Sequence, residues 1–134
     1  MYQRKIPKDY KCGALITADI INGKWKPCIL NKINEGIRRP SELLRALPDA
    51  ARRSLNIQLN ELETHGIITK KIYSVLPPKV EYFLTQAGHT LIPITLAMAE
   101  WGSFYSEDFL RLSSRKGHTS DEIEDTEINK RSSL

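Results

Sequence analysis

Two guanidinium and two carboxamide side chains lie within about two and a half turns of a predicted helix. They are Arg52, Arg53, Asn56 and Asn60. Arginine can donate two parallel hydrogen bonds to guanine, and asparagine can pair in the same way with adenine. The same side chains would also suit the solvated face of an ordinary surface helix. They are therefore candidate contacts to nucleic acid. Whether they contact bases or only solvent depends on the fold in which this helix lies.

Further basic and hydroxyl side chains flank this segment on both sides. They are Arg38, Arg39 and Ser41 before it, and Lys70, Lys71 and Lys79 after it. Such groups typically contact phosphate, which positions a protein on a duplex without reading its sequence. Successive strand residues alternate between faces, so we do not expect all three lysines to point the same way. Arg38 and Arg39 could instead support the neighbouring structure.

Cys12 is the residue best suited to thiol chemistry. Lys11 flanks it and Lys8 is near, and positive charge favours the reactive thiolate. The alternative is a partly buried and unreactive thiol, because cysteine also packs as a small hydrophobe. Cys28 lies on an apolar helix face, and we expect it in the core.

Other kinds of chemistry lack a recognisable pattern. The two cysteines form no CxxC pair, and the three histidines are too scattered to complete a zinc site. No catalytic triad, paired carboxylate site or phosphate-binding glycine loop is evident. We therefore expect no metal, no cofactor and no enzymatic activity.

The charge of the chain is distributed unevenly. Residues 1–79 carry 15 Lys and Arg against 7 Asp and Glu, whereas residues 80–134 carry 5 against 9. Basic charge concentrated in one half is typical of a polyanion partner, although a merely soluble face would look similar. No apolar run approaches the length of a membrane span or a signal peptide, so the expected location is the cytoplasm.

Two short helices joined by a tight turn are predicted to carry the arginines and asparagines. Pro40 suits the first turn of the first helix, and Pro48 ends it because the residue before proline avoids helical angles. Asp49 is then the expected N-cap of the second helix, which runs to His65. Its apolar stripe consists of Leu55, Leu59 and Leu62.

After Gly66 the hydrophobic pattern alternates, which predicts a β-hairpin. Its strands are expected at residues 68–73 and 80–84, and the prolines in residues 74–79 indicate a loop between them. Residues 37–39 could form a small strand beside this hairpin.

Three more helices are predicted, at Ala14–Asn22, at Lys24–Glu35 and from Ala87 onward. The last is long, and Pro93 within it predicts a kink or an irregular register. Its apolar residues recur at spacings of three and four, which is the seam of a coiled coil. They are Leu91, Ile94, Met98, Trp101 and Tyr105.

The predicted fold class is mainly α (α+β), a winged helix-turn-helix with a long C-terminal dimerisation helix. The expected organisation is an N-terminal arm at residues 1–12, this domain at 13–112, and a mobile polar tail at 113–134. In such a fold the second helix can enter the major groove, while the hairpin brings lysines to the backbone or minor groove.

The ordered motifs resemble the HxlR family of bacterial transcriptional regulators, which are related to MarR-like winged-helix proteins. They include Gly23-Lys24-Trp25, Ser41-Glu42-Leu43, Leu47-Pro48, Gly66-Ile67, Trp101-Gly102 and the segment from Pro77 to Thr85. The match extends from about Cys12 to Gly102. Single pieces are weak, but the ordered set is specific.

The resemblance implies a homodimer that binds a pseudo-palindromic operator, with recognition helices about 34 Å apart. Family members dimerise through the N-terminal helix, here with Leu15, and through the long C-terminal helix. Some sense oxidants or electrophiles through a cysteine at the position of Cys12. The family commonly has serine where Ala51 stands, so this chain departs from the pattern where the recognition helix begins.

The sequence therefore predicts a homodimeric DNA-binding transcriptional regulator, more specifically a repressor, with Cys12 as a candidate sensor of oxidants or electrophiles. The alternative is a winged-helix protein–protein interaction module that does not bind DNA. Its outward helix face would be neutral or apolar. No small-molecule effector is identified.

Overall fold

The computed structural model describes residues 12–115. The predicted N-terminal arm and polar tail lie outside these residues, apart from Cys12 and residues 113–115. The described elements are α1 (Gly13–Ile20), α2 (Lys26–Asn34), α3 (Pro40–Ala46), α4 (Arg52–Thr64), β1 (Ile68–Tyr73), β2 (Lys79–Leu84) and α5 (Gln86–Ser114). This order confirms the predicted mainly α fold with a winged helix-turn-helix and a long C-terminal helix.

The chain divides into two compact units, the first ending at Leu96 and the second beginning at Ala97. The core of the first unit is formed by α2, α3, α4, the base of the hairpin and the start of α5. Its most deeply buried apolar side chains are Ile29, Leu30, Ile33, Leu43, Leu55, Leu59, Leu62 and Ile68. The leucine stripe of α4 thus faces inward as its spacing predicted, which leaves the opposite side of the helix outward.

The turn between α3 and α4 differs from the prediction at its second half. Asp49 is not the N-cap, because the amide of Ala50 donates to the carbonyl of Leu47 at 2.9 Å and closes a turn that contains Asp49. Ala50 is buried, and Ala51 is extended with φ −77° and ψ 144°. The carbonyl of Ala51 accepts the first helical bond, from the amide of Leu55 at 2.9 Å. Ala51 is therefore the N-cap, and among residues 12–115 no side chain caps the helix.

The hairpin is antiparallel, and its register pairs Ile68 with Leu84 and Tyr73 with Lys79. Its second strand begins at Lys79, one residue earlier than predicted. The short strand expected at residues 37–39 is not formed, since among the described residues this segment shares a single backbone bond with β2, from the amide of Tyr82 to the carbonyl of Arg38 at 2.8 Å. One such bond aligns the segment with β2 without extending the sheet.

The hairpin of β1 and β2 is the wing of this fold. Thr85 connects the base of the wing to the start of α5. Its hydroxyl donates to the carbonyl of Gly66 at 2.6 Å and accepts the amide of Gly88 at 3.1 Å. Gly66 adopts φ 73°, a left-handed conformation that ends α4 where glycine was expected to end it. A Cβ at Gly88 would collide with the carbonyl oxygen of Ile67, so only glycine fits there.

The long helix α5 continues through Pro93. Its first turns pack into the first unit, where the hydroxyl of Thr95 donates to the side chain of Asn31 at 2.8 Å. Leu91, predicted as part of the dimer seam, is buried in this core at 8% exposure. The seam pattern there serves the subunit's own packing.

In the described part of the second unit, most large apolar side chains are exposed. Ile94, at the end of the first unit, and Met98 are exposed, and Trp101 is 62% exposed. Trp101 and Tyr105 stack on each other with ring centroids 5.0 Å apart. On α1, Leu15 is 55% exposed, and no residue of that helix is buried. None of the described helices combines the length and apolar character needed to cross a membrane.

Candidate nucleic-acid interface

The outward side of α4 carries one continuous stripe of side chains. Arg53, Ile57 and Asn60 occupy positions i, i+4 and i+7, which place them on the same face. All three are exposed, as are Asn56 and Arg52 beside them. All four predicted α4 contacts are therefore exposed. Arg53, Asn56 and Asn60 lie on the side opposite the core, and Arg52 lies at its edge.

The positive charge at the start of α4 is not neutralised locally. Among residues 12–115, neither Arg52 nor Arg53 pairs with a carboxylate, whereas Lys26, Lys70 and Lys79 do. Both arginines lie in the first turn, where the helix dipole is also positive. This end of α4 thus combines two free guanidinium groups with backbone N–H groups that no side chain caps. An anion would complement it.

One face of the wing assembles two of the three predicted lysines. The ammonium groups of Lys71 and Lys79 lie 5.1 Å and 5.3 Å from the centre of the Tyr73 ring. A hydrogen bond with Glu81 raises the pKa of Tyr73 above its ordinary value, since it stabilises the neutral phenol. Lys79 also approaches Glu81 at 4.0 Å. Tyr73 therefore organises both ammonium groups near the wing tip.

Lys70 lies on the opposite face of the hairpin, as strand alternation requires. Its ammonium nitrogen is 3.8 Å from the carboxylate of Glu63 on α4. Both side chains are about one-third exposed, so this pair is a modest link between the wing and α4. Of the three lysines, Lys70 is the one placed to orient the wing.

Arg38 supports the wing, which was one of the two roles left open for it. Its guanidinium stacks 4.5 Å from the centre of the Phe83 ring, and Nη1 donates to the carbonyl of Tyr82 at 3.5 Å. Arg39 and Ser41 are both exposed at the start of α3. Arg39 and Ser41 are thus accessible, whereas Arg38 is half-buried.

A buried polar cluster beneath α4 was not identified from the sequence. The Oε1 atom of Gln58 accepts the amide of Trp25 at 2.7 Å, and its Nε2 donates to the hydroxyl of Ser54 at 3.0 Å. Lys26 pairs with Glu61 at 2.9 Å, although the lysine side chain is only 3% exposed. The available signal was Gln58 itself, a polar residue inside the leucine stripe three residues after Leu55 and four before Leu62.

Both cysteines are exposed. Cys12 lies at the N-cap of α1, where its carbonyl accepts the amide of Leu15 at 3.0 Å. The prediction that Cys28 belongs to the core is wrong. On α2 the core side is taken by Ile29, Leu30 and Ile33, and Cys28 falls on the other side of the helix. Within the described residues, no group of His, Cys, Asp and Glu side chains could hold a metal ion.

Comparisons with known proteins agree with this architecture. The family described as HxlR-like helix-turn-helix matches residues 20–109. The chain is 40% identical over 100 residues to YkvN of Bacillus subtilis strain 168, covering 75% of this chain and 85% of YkvN. It is 44% identical over 96 residues to YybR of the same strain, covering 72% and 77%. Both relatives are described as uncharacterized HTH-type transcriptional regulators.

Two solved structures of the redox regulator HypR are also similar. The oxidized form is 44% identical with a TM-score of 0.65, covering 69% of this chain and 95% of HypR. The reduced form is 40% identical with a TM-score of 0.69, covering 75% and 99%.

Proposed function

The chain belongs to the HxlR-like helix-turn-helix family of DNA-binding transcriptional regulators, and from this premise we propose that it is a homodimeric repressor that binds a specific operator. The observation that carries the proposal is the outward side of α4, where Arg52 and Arg53 pair with no carboxylate of the described residues and where Asn56 and Asn60 are exposed. These side chains match the donors and acceptors of the major groove. The lysines of the wing add contacts to phosphate.

The homodimer is supported by the apolar side chains that α1 and α5 expose. Met98, Trp101 and Phe104 in the second unit, and Leu15 on α1, are large and solvent-facing within one chain. Several large apolar side chains exposed on one helix, as on α5, are typical of an interface. A two-fold dimer would present its two α4 helices to successive major grooves about 34 Å apart. Operator binding then requires two half-sites at that spacing.

A response to thiol oxidants through Cys12 completes the proposal. Cys12 is exposed at the start of α1, on an element proposed to contact the partner subunit. HypR, whose name states that it is a redox regulator, is similar over most of this chain. A thiol oxidant that takes up two hydrogens and joins the Cys12 thiols of two subunits in a disulfide would therefore alter the dimer and, through it, the spacing of the α4 helices.

The test of DNA binding begins with selection of duplexes from a random-sequence pool by the full chain. Affinity for the selected duplex is then measured for wild type and for Arg53→Ala. We expect Arg53→Ala to weaken binding by about 1–3 kcal/mol, because it removes donors to a base edge. Arg115→Ala is the matched control, because this substitution removes the same charge from an exposed position directly after α5.

Two results would contradict the proposed function. One is the absence of any selected sequence together with elution from heparin at low salt, which would favour the protein–protein interaction module. The other is equal weakening by both arginine variants, which would make the effect one of net charge. For the thiol response, diamide should change operator affinity of wild type and of Cys28→Ser but leave Cys12→Ser unaffected.

A further inference from the structure

Ile57 is an apolar side chain at the middle of the outward stripe of α4. It lies one turn after Arg53 and just under one turn before Asn60, and it is 47% exposed. The core residues of the helix occupy its other side, so the first unit does not bury Ile57. Its immediate neighbours on the stripe are polar. Ile57 is therefore an exposed apolar side chain within the surface that is proposed to contact DNA.

Packing and helix propensity do not account for isoleucine at this position. A β-branched residue is a poorer helix former than the lysine, glutamate or glutamine usual on a solvated face. An exposed apolar group gains free energy only when a partner removes it from water. The basic groups around it make that partner an anion that also presents apolar surface in a groove.

Resting on the proposed function, we propose that Ile57 selects thymine by packing against its C5-methyl group in the major groove. Thymine alone among the four bases presents a methyl group there, and apolar side chains contact it. Arg53 and Asn60 hold the helix at the base edges on either side. Ile57 is thus a specificity residue that reads shape and hydrophobicity where its neighbours read hydrogen bonds.

The spacing of the stripe fixes where this thymine should lie. Four helical residues rise about 6 Å, which corresponds to roughly two base pairs along one strand. The thymine read by Ile57 should therefore lie about two base pairs from the base pair that Arg53 contacts. The symmetric half-site should show the same arrangement.

Deoxyuridine replacement isolates the methyl group, because it deletes only that group and leaves every hydrogen bond of the base pair intact. Each thymine of the selected duplex is replaced in turn, and affinity is measured for wild type, Ile57→Ala and Ile72→Ala. Ile72 is an exposed isoleucine on β1 and provides the matched control. Far-ultraviolet circular dichroism confirms that the variants fold.

We expect one thymine per half-site at which deoxyuridine weakens wild-type binding about four-fold, the value of one buried methyl group. Ile57→Ala should bind the thymine duplex more weakly and should lose the difference between thymine and deoxyuridine at that position. Ile72→Ala should keep it.

The proposal is overturned if no thymine shows the effect, or if Ile57→Ala retains it. In either case sequence-selective binding that depends on Arg53 would leave the proposed function standing. Failure to select any duplex would instead remove the proposed function itself, so the two failures are distinguishable.

Discussion

At the scale of single residues, Ala51 occupies a helix N-cap with a side chain that has no hydrogen-bond acceptor. It is the N-cap of α4, with extended backbone angles and an exposed side chain that accepts no hydrogen bond. The amides of Arg53 and Ser54 at this end therefore depend on water or on a bound anion. The family serine at this position would supply an acceptor within the chain.

We expect Ala51→Ser to raise the free energy of unfolding by about 1 kcal/mol, because a serine hydroxyl at an N-cap accepts an amide that alanine leaves unpaired. Urea denaturation of the full chain at fixed protein concentration measures the change. Ala51→Val adds volume without an acceptor and should give no gain. Equal stabilisation by serine and valine would mean that capping is not the cause.

At the scale of elements, α4 is held from below by α2 through polar groups. Gln58 receives the amide of Trp25, and Lys26 pairs with Glu61 one turn further along α4. Gly23 makes room for this arrangement, since a Cβ there would lie 2.7 Å from Oε1 of Gln58. Together with the buried leucines, these directional bonds fix the rotation of α4 about its axis. That rotation decides which side chains face outward.

The Lys26–Glu61 pair should respond asymmetrically to truncation. Glu61→Ala leaves the ammonium of Lys26 buried without a partner, and we expect it to cost about 3 kcal/mol of stability. Lys26→Met should cost less, because methionine fills the same space and the carboxylate of Glu61 is 33% exposed to water. Thermal and urea unfolding of both variants provide the comparison. A larger loss for Lys26→Met would contradict this, because methionine keeps the packing and the loss would then come from the unpaired carboxylate of Glu61.

At the scale of the whole molecule, the basic groups proposed to meet DNA lie on α4 and the hairpin of the first unit. Exposed large apolar side chains occur in both units, and in the described part of the second unit they include Trp101, Phe104 and Phe109. Such an arrangement suits a protein that binds a polyanion with one part and a second copy of itself with another.

Trp101→Glu should convert the proposed dimer into monomers, because a carboxylate within an apolar interface is unpaired and desolvated. Light scattering coupled to size-exclusion chromatography gives the mass directly. Ser103→Glu introduces the same charge on the other side of α5 and should leave the dimer intact. A wild-type mass of one chain, or an unchanged mass for Trp101→Glu, would contradict this interface.

Much of this organisation was predictable because it depends on periodicity. The stripe of Leu55, Leu59 and Leu62 faces inward as its spacing requires, and the change to alternation after Gly66 marks the hairpin. The predictions that were wrong concern residues whose environment is set by segments distant in sequence or by a local turn. Asp49 was absorbed by a turn that Ala50 closes, Leu91 was drawn into the core, and Cys28 was left outside it.

The sequence by itself determined the winged helix-turn-helix, the family and the set of polar residues on α4, because hydrophobic spacing and local motifs act along the chain. Only the tertiary structure decided that Lys70 pairs with α4, that Arg38 stacks on Phe83, and that Leu91 is buried in the core. These outcomes depend on distances between segments far apart in sequence. Burial and pairing are properties of those distances, and residue order alone does not contain them.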